Sequence, residues 1–306
     1  MLKSLQKAFK VKEVRDRLLY TFMMLVVIRI GCCLPIPGVD PSYLHDFFSN
    51  LQSSGMGFFN AITGGSFSSM SIFALSITPY ITSSIIMQLL TIAIPKLEEM
   101  QKDGEDGRKK IAEYTRYLTV GLALFESCAM AVGLGGKGLL LEDHRNVWGY
   151  LTVVAAMTAG SALLMWIGER ITDNGVGNGI SIVLLINIVS GTPQDMMTLY
   201  ERFMAGKSVA VATVACIIVL AIIIAIFVFV IILNDGVRKI PVQYAKKMQG
   251  RKMVGGQTSN IPLKVNTSGV IPIIFAQSIM QFPIIICSFI GYNGTGVWAE
   301  ILKGLN

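Results

Sequence analysis

The feature that most constrains this chain is a series of long apolar stretches that contain almost no charged residues. The longest, residues 209–233, runs for 25 residues without Asp, Glu, Lys or Arg. About 20 apolar residues in an α-helix cross the hydrocarbon core of a bilayer. Of all residues, 53% are hydrophobic and 15% are charged, whereas soluble domains carry about 25% charge. The sequence therefore predicts an all-α polytopic membrane protein.

Seven such stretches are predicted to be membrane spans, the fifth of which is short and follows a glycine-rich turn. The fifth is therefore expected to be a tilted or broken helix. The first is preceded by a long basic leader and followed by no small-residue cleavage site, so it is expected to be retained. The spans cover residues 18–34, 71–94, 115–134, 148–168, 178–192, 209–233 and 268–290.

The distribution of positive charge predicts the orientation. Twenty of the 26 Lys and Arg residues lie in the leader and in the loops after spans two, four and six. Five lie in the opposite loops, and Arg29 lies inside span one. Because cytoplasmic loops carry the excess of Lys and Arg, the N-terminus is expected to be cytoplasmic and the C-terminus outside.

The second span, residues 71–94, is unusually polar for a helix in contact with lipid. As a continuous helix it would be about 36 Å long. Helical spacing places Ile77, Ile81 and Ile85 on one stripe, with Gln88 one turn further along it. A row of isoleucines that runs into a buried amide suits the wall of a constricted, water-accessible path.

The segment before this span, residues 55–70, is apolar and rich in glycine. Phe58, Phe59 and Ile62 recur at helical spacing before Gly64-Gly65. The segment is too short to span a bilayer, so a re-entrant segment is predicted. An interfacial amphipathic segment is the alternative.

The composition of two loops indicates a structure or a binding role. Residues 174–181 (NGVGNGIS) form a glycine-rich turn that lacks the Gly-Lys-Ser/Thr of a phosphate loop, so a tight turn is predicted, with Asn178 at the start of the next helix. Residues 234–265 carry seven cations and one acid, Asp235. That density suits anionic lipid, a phosphate backbone or an acidic protein partner.

Signatures of catalysis and of metal binding are missing from the sequence. It has no H-E-x-x-H and no G-x-S-x-G, and its five cysteines all lie in apolar segments without metal-ligand spacing. Reduced cysteines, no cofactor, no metal and no enzymatic activity are expected. Within spans, Arg29 is expected to reach toward the outer interface. Glu126 is a functional candidate because buried charge is rare in membranes.

Several motifs resemble the SecY family, the channel subunits of the bacterial Sec protein translocase. They occur in order along residues 29–283: 35–40 (PIPGVD), 71–75 (SIFAL), 79–81 (PYI), 85–90 (IIMQLL), 107–111 (GRKKI), 114–117 (YTRY), 166–169 (WIGE), 240–246 (IPVQYAK), 261–266 (IPLKVN) and 269–272 (GVIP).

The resemblance implies a role for each matching position. It implies a plug at residues 55–70 (Phe58, Phe59, Ile62, Gly64, Gly65), a hydrophobic pore ring (Ile77, Ile81, Ile180, Leu184, Ile271, Ile274), a polar cluster at the lateral gate (Gln88, Asn178) and a ribosome or motor contact (Lys246, Lys247, Arg251, Lys252). The implied partners are the SecE and SecG subunits, the SecA motor ATPase, the ribosome, signal-bearing precursors and the lipid bilayer. The implied place is the bacterial plasma membrane.

The resemblance also implies ten spans in two inverted halves of five, whereas seven are predicted here. Residues 1–192 would be the N-terminal half and residues 193–306 the start of the second half, without spans eight to ten. Leu184 stands where the family more often has isoleucine, and Glu126 where an uncharged residue is expected. Two other hypotheses stay open: a secondary transporter built around a broken helix at 174–180 with Glu126 as coupling group, and a non-conducting scaffold that docks ribosomes.

Overall fold

A computed structural model describes residues 10–40, 60, 62–135, 140–141, 145–206, 208–243, 247–249, 252–254, 258–267, 269, 272–273 and 276. These residues contain seven α-helices and four strands. The helices are α1 (Lys12–Cys33), α2 (Thr78–Ala93), α3 (Pro95–Lys102), α4 (Glu105–Leu134), α5 (Val147–Asn174), α6 (Gly179–Phe203) and α7 (Val209–Asp235). The strands are β1 (Val237–Gln243), β2 (Lys247–Gln249), β3 (Lys252–Val254) and β4 (Thr258–Lys264).

The described residues fall into two compact units. The first ends at Pro193 and the second is Gln194–Ala276. The division into N-terminal and C-terminal halves stays a prediction.

The helices confirm an α-helical membrane architecture. Within the described residues, α5, α6 and most of α7 are long and apolar enough to cross a membrane, and the bent pair α2–α3 raises the number to four. With 22 and 30 residues, α1 and α4 also have the length to cross, although they carry more charge. The count of seven spans stays a prediction, and most of span seven lies outside the described residues.

Span two is not the single straight helix that was predicted. The helix α2 begins only at Thr78 and has 16 residues, or about 24 Å. Met70 and Ser76 adopt left-handed backbone angles with φ of 41° and 53°, which an α-helix cannot contain. Pro79 then stands in the first turn of α2, where its missing N–H costs no helical hydrogen bond. At the other end, α2 turns by 102° into α3.

The residues before α2 form a buried, irregular stretch that we call the elbow (residues 62–77). Backbone bonds tie it to the chain after α1, because Ile36 N donates to Met70 O and Ile72 N donates to Leu34 O, each at 3.0 Å. Six of the seven residues at 71–77 are at most 3% exposed, and Ile72 is the partly exposed one: the six are Ser71, Phe73, Ala74, Leu75, Ser76 and Ile77. Irregular backbone at membrane depth is tolerated where protein surrounds it.

Helices α1, α2, α4 and α5 pack around the elbow. Small residues allow close approach, as is usual between membrane helices. A Cβ on Gly160 of α5 would meet the carbonyl group of Ile72, and one on Gly31 of α1 would meet the Phe73 ring. The elbow is therefore held by two helices that approach it closely at glycines.

Span five was predicted to be short, and this prediction is wrong. The helix α6 continues through Pro193 to Phe203 and has 25 residues. The preceding turn confirms the prediction for residues 174–181. The helix α5 ends at Asn174, Gly177 has φ of +71°, and Asn178 Oδ1 accepts a hydrogen bond from Ile180 N at 3.1 Å.

The second unit contains α7 and a β-ladder. None of the apolar residues in the spanning window of α7 is buried, as a lipid-exposed helix requires. Strands β1 and β4 pair antiparallel over seven residues, with Ile240 opposite Ile261, and β2 pairs with β3. The basic segment 234–265 is therefore partly a β-ribbon, whereas the sequence analysis described it only as a loop.

Candidate functional site

Four of the six predicted ring residues lie in one apolar cluster. Ile77 and Ile81, at the start of α2, pack in the same cluster as Ile180 and Leu184, at the start of α6. Ile77 is fully buried, and the other three are half-buried. The remaining two ring positions, Ile271 and Ile274, lie outside the described residues. The function of the ring stays a prediction.

A glycine of α5 lets the two helix starts meet. A Cβ on Gly168 would lie 3.5 Å from Ile77 Cδ1 and 3.5 Å from Ile180 Cγ1, so both isoleucines rest on this point of α5. A Cβ on Gly179 would in turn meet the Gly168 carbonyl oxygen. The sequence therefore uses glycine on both sides of the contact to place the first turn of α6 beside the first turn of α2.

The predicted stripe of span two does not face one environment. Ile77 precedes α2 as its N-cap, and Ile85 is 8% exposed. Gln88 and Asn178, the predicted gate cluster, are both exposed side chains. Among the described contacts none joins these two residues, and the gate cluster stays a prediction.

The predicted plug is described only from residue 60 onward, with residue 61 left out; Phe58 and Phe59 lie outside the described residues. Ile62 is half-buried. Gly64 has φ of +66°, a left-handed angle that favours glycine, and a Cβ there would lie 2.8 Å from Asn187 O and 2.9 Å from Ser190 Oγ. Gly65 also has a positive φ, but the space beside it is open. The segment thus contacts α6 at Gly64, whereas Phe67 and Met70 pack in an apolar cluster with residues of α4 and α5.

Polar side chains next to the elbow form a network that the sequence analysis missed. Asn187 Nδ2 donates to Ser76 Oγ at 3.0 Å, and Ser161 Oγ donates to Ser76 O at 3.0 Å. Arg29 Nη1 donates to Ser190 Oγ at 2.8 Å. Arg29 was predicted only to reach toward the outer interface. In the structure it is hydrogen-bonded to a serine of α6. The sequence signal was an asparagine within the apolar run 182–189.

The predicted contact residues for a ribosome or motor are only partly described. Lys246 and Arg251 lie outside the described residues, whereas Lys247 belongs to β2 and Lys252 to β3. In the neighbouring ladder, Arg238 and Lys239 on β1 and Lys264 on β4 are exposed. The backbone thus presents basic residues on paired strands.

Glu126 is buried on α4, with 9% of its surface exposed. It takes part in no ion pair among the described residues. Its neighbour Ser127 accepts a hydrogen bond from Thr158 on α5 at 3.2 Å, so Glu126 lies at the level of Thr158 along this helix pair. Thr158 lies 16 residues before the end of α5 at Asn174, which is about 24 Å along the helix. The role of Glu126 as a coupling group stays a hypothesis.

Comparison with known proteins decides the family. A sequence model of the SecY family matches residues 71–304, which is most of the chain and includes the elbow from Ser71, α2, α6 and the β-ladder. The chain belongs to the SecY family. The protein translocase subunit SecY of Pseudomonas aeruginosa is 43% identical over 94% of this chain and 64% of its own length. The chain thus spans just under two thirds of this relative.

Two solved structures share the fold. In one, the plug domain of a SecY protein stabilises the closed state of the translocation channel and maintains a membrane seal. It aligns with a TM-score of 0.56 at 18% identity, over 92% of this chain and 60% of that one. The other is Sec61 in the canine ribosome-channel complex from the endoplasmic reticulum, with a TM-score of 0.50 at 20% identity and the same coverage. The chain therefore has the helical fold of these channels.

Proposed function

We propose that this chain is the central subunit of a protein-conducting channel that moves signal-bearing polypeptides across the plasma membrane or laterally into it. The observation that carries the proposal is the meeting of α2 and α6 at four apolar ring residues beside a buried elbow. Membership in the SecY family supports it, because the Pseudomonas aeruginosa relative is a protein translocase subunit. The transporter hypothesis lacks such support.

The ring suits a seal for ions that can yield to a polypeptide. A constriction lined by apolar side chains excludes water and hence ions. Ile77, Ile81, Ile180 and Leu184 are bulky enough to close a narrow gap, and in this proposal Ile271 and Ile274 complete the ring. The aliphatic side chains offer no polar group that would hold a passing chain.

The segment 55–70 is proposed to be the plug that covers this ring from the outside. Four residues of its described part are buried: Thr63 and Met70 are 0% exposed, Ser66 is 1% exposed and Phe67 is 4% exposed. Burial favours a re-entrant plug over an interfacial segment. The plug domain of the structurally similar SecY protein, which maintains a membrane seal, supports the same role here.

Partners are proposed to approach from the cytoplasm, on the side of the basic leader and loops. Lys246, Lys247, Arg251 and Lys252 would bind the phosphate backbone of ribosomal RNA or an acidic face of the SecA motor. The structure of Sec61 in a ribosome-channel complex supports a ribosomal partner. SecE and SecG would complete the channel. In this proposal the chain performs no catalysis, and its partners supply the energy.

The proposal expects signal sequences to contact Gln88 on the exposed side of α2. A photoreactive residue at Gln88 should crosslink to the signal sequence of a secretory precursor in membrane vesicles that contain the partner subunits. The matched control is Leu163 on α5, which is 45% exposed and should give no crosslink. Precursors that reach the vesicles but crosslink equally at both positions, or at neither, would contradict the proposal.

A further inference from the structure

A buried amide of α6 holds the last residue of the elbow before the ring. Asn187 is 1% exposed and donates to Ser76 Oγ, and the Ser76 carbonyl accepts from Ser161 on α5. Ser76 has the left-handed backbone angle that allows α2 to begin at Thr78. Because a non-glycine residue is strained at such an angle, the two hydrogen bonds fix Ser76 in the conformation that places Ile77.

A second contact lies one turn further along α6. Ser190 Oγ accepts from Arg29 of α1 at 2.8 Å and donates to Asn187 O at 2.6 Å. Gly64 covers the same turn, since a Cβ there would be under 3 Å from both Asn187 O and Ser190 Oγ. The plug segment therefore rests on the turn of α6 that bonds the elbow and α1.

One acceptor at this point has no partner among the described residues. Asn187 Oδ1 is buried and makes no hydrogen bond within the described part of the chain. A half-satisfied buried polar group gives up part of the stability that a complete network would have. The contact is thus directional and close, and it is made through one of the two polar atoms of the Asn187 amide.

We propose that Arg29, Ser76, Asn187 and Ser190 form a polar latch that keeps the elbow and the plug segment seated on α6. The role of the latch in channel opening rests on the proposed function: when the latch opens, the plug would be freed and the first turns of α2 and α6 would separate. The holding of the elbow itself depends only on the hydrogen bonds described above, and not on whether the chain conducts polypeptides.

A native cysteine reports on the latch without any assay of transport. Cys32 of α1 is 5% exposed, and the side chain of Ser66 in the elbow lies against its thiol. Since alkylation requires an accessible thiolate, Cys32 should react with maleimide only when the elbow moves away. The reporter chain has Cys33, Cys128, Cys216 and Cys287 replaced by alanine.

Two variants open the latch in different ways. N187L removes the amide while keeping a branched side chain, and S76G removes the hydroxyl and relieves the left-handed angle. We expect each to raise the rate of Cys32 labelling about tenfold, the factor that corresponds to one lost hydrogen bond. L185A, at the neighbouring residue that is 60% exposed, is the control and should leave the rate unchanged.

The reciprocal exchange S76N/N187S separates a latch from general loosening. Asparagine tolerates the left-handed angle better than serine does, and an amide would again face a hydroxyl, so slow labelling should return. Unchanged labelling in both N187L and S76G would overturn the proposal, and so would fast labelling in the exchange variant. Loss of crosslinking at Gln88 with the labelling pattern intact would count against the proposed function and leave the latch standing.

Discussion

G160A is expected to destabilise the protein by about 2 kcal/mol, the size of effect that overpacking a tight contact produces. The added methyl group would meet the Ile72 carbonyl oxygen and lie 2.9 Å from its carbon. Ile72 cannot withdraw easily, because its N–H is bonded to Leu34 O. The change is measured by thermal unfolding in detergent, with the loss of monodisperse protein as the readout.

The matched control is G121A in α4. Gly121 also lies inside a helix, but a Cβ there would have no atom within 4 Å. Alanine should therefore stabilise this site by about 0.5–1 kcal/mol through its higher helix propensity. If both variants shift the stability in the same direction, the result would contradict the close packing of α5 on the elbow at Gly160.

I81S/L184S is expected to make membranes leak ions. The two side chains come from α2 and α6 and face one apolar cluster. Replacing apolar side chains of this size by hydroxyls removes about 1.5 kcal/mol or more of the cost of wetting the ring. Because each 1.36 kcal/mol in a barrier changes a rate tenfold, ion flux should rise about tenfold or more. A voltage-sensitive dye in proteoliposomes measures that flux.

The control for the leak is L185S. Leu185 is 60% exposed and adjoins Leu184 on α6, so the substitution has the same chemistry but lies outside the apolar cluster. It should leave ion flux at the level of the unsubstituted chain. Equal flux in I81S/L184S and L185S, with both proteins folded, would show that these side chains form no seal.

Hydrophobic patterning predicted most of the helices but misplaced the start of α2. Residues 71–77 are mostly apolar and contain neither glycine nor proline. Their local sequence therefore gives no reason to end a helix there. Their irregular path depends on tertiary contacts: the bonds of Met70 and Ile72 to the chain after α1, and the close approach of Gly160. Periodicity cannot detect such contacts, because they come from distant parts of the sequence.

The β-ladder was missed although the sequence contains a signal for it. The segments 240–242 (IPV) and 261–263 (IPL) are near copies separated by a glycine-rich stretch, and in the structure Ile240 lies opposite Ile261. Two short β-branched segments around a turn favour a hairpin. The proline within each segment is compatible with these strands, because proline is confined to edge strands and both strands of a two-stranded ladder are edge strands.

One part of the candidate site could be predicted from the sequence and the other part could not. Ile77, Ile81, Ile180 and Leu184 could be named from sequence, because spacing and family motifs mark them. The latch could not, because the bond between Asn187 and Ser76 joins residues 111 positions apart. A lone asparagine in an apolar helix indicates that a partner exists, but only the fold identifies which residue it is.

The central claim is that a polypeptide passes between the first turns of α2 and α6, and a stalled precursor tests it most directly. The precursor carries a signal sequence and a tightly folded domain at its C-terminus, so that its middle segment stops within the membrane. A photoreactive residue at Ile81 should crosslink to that middle segment, and one at Leu185 should not. A precursor that stalls in these vesicles but never crosslinks at Ile81 would contradict the account.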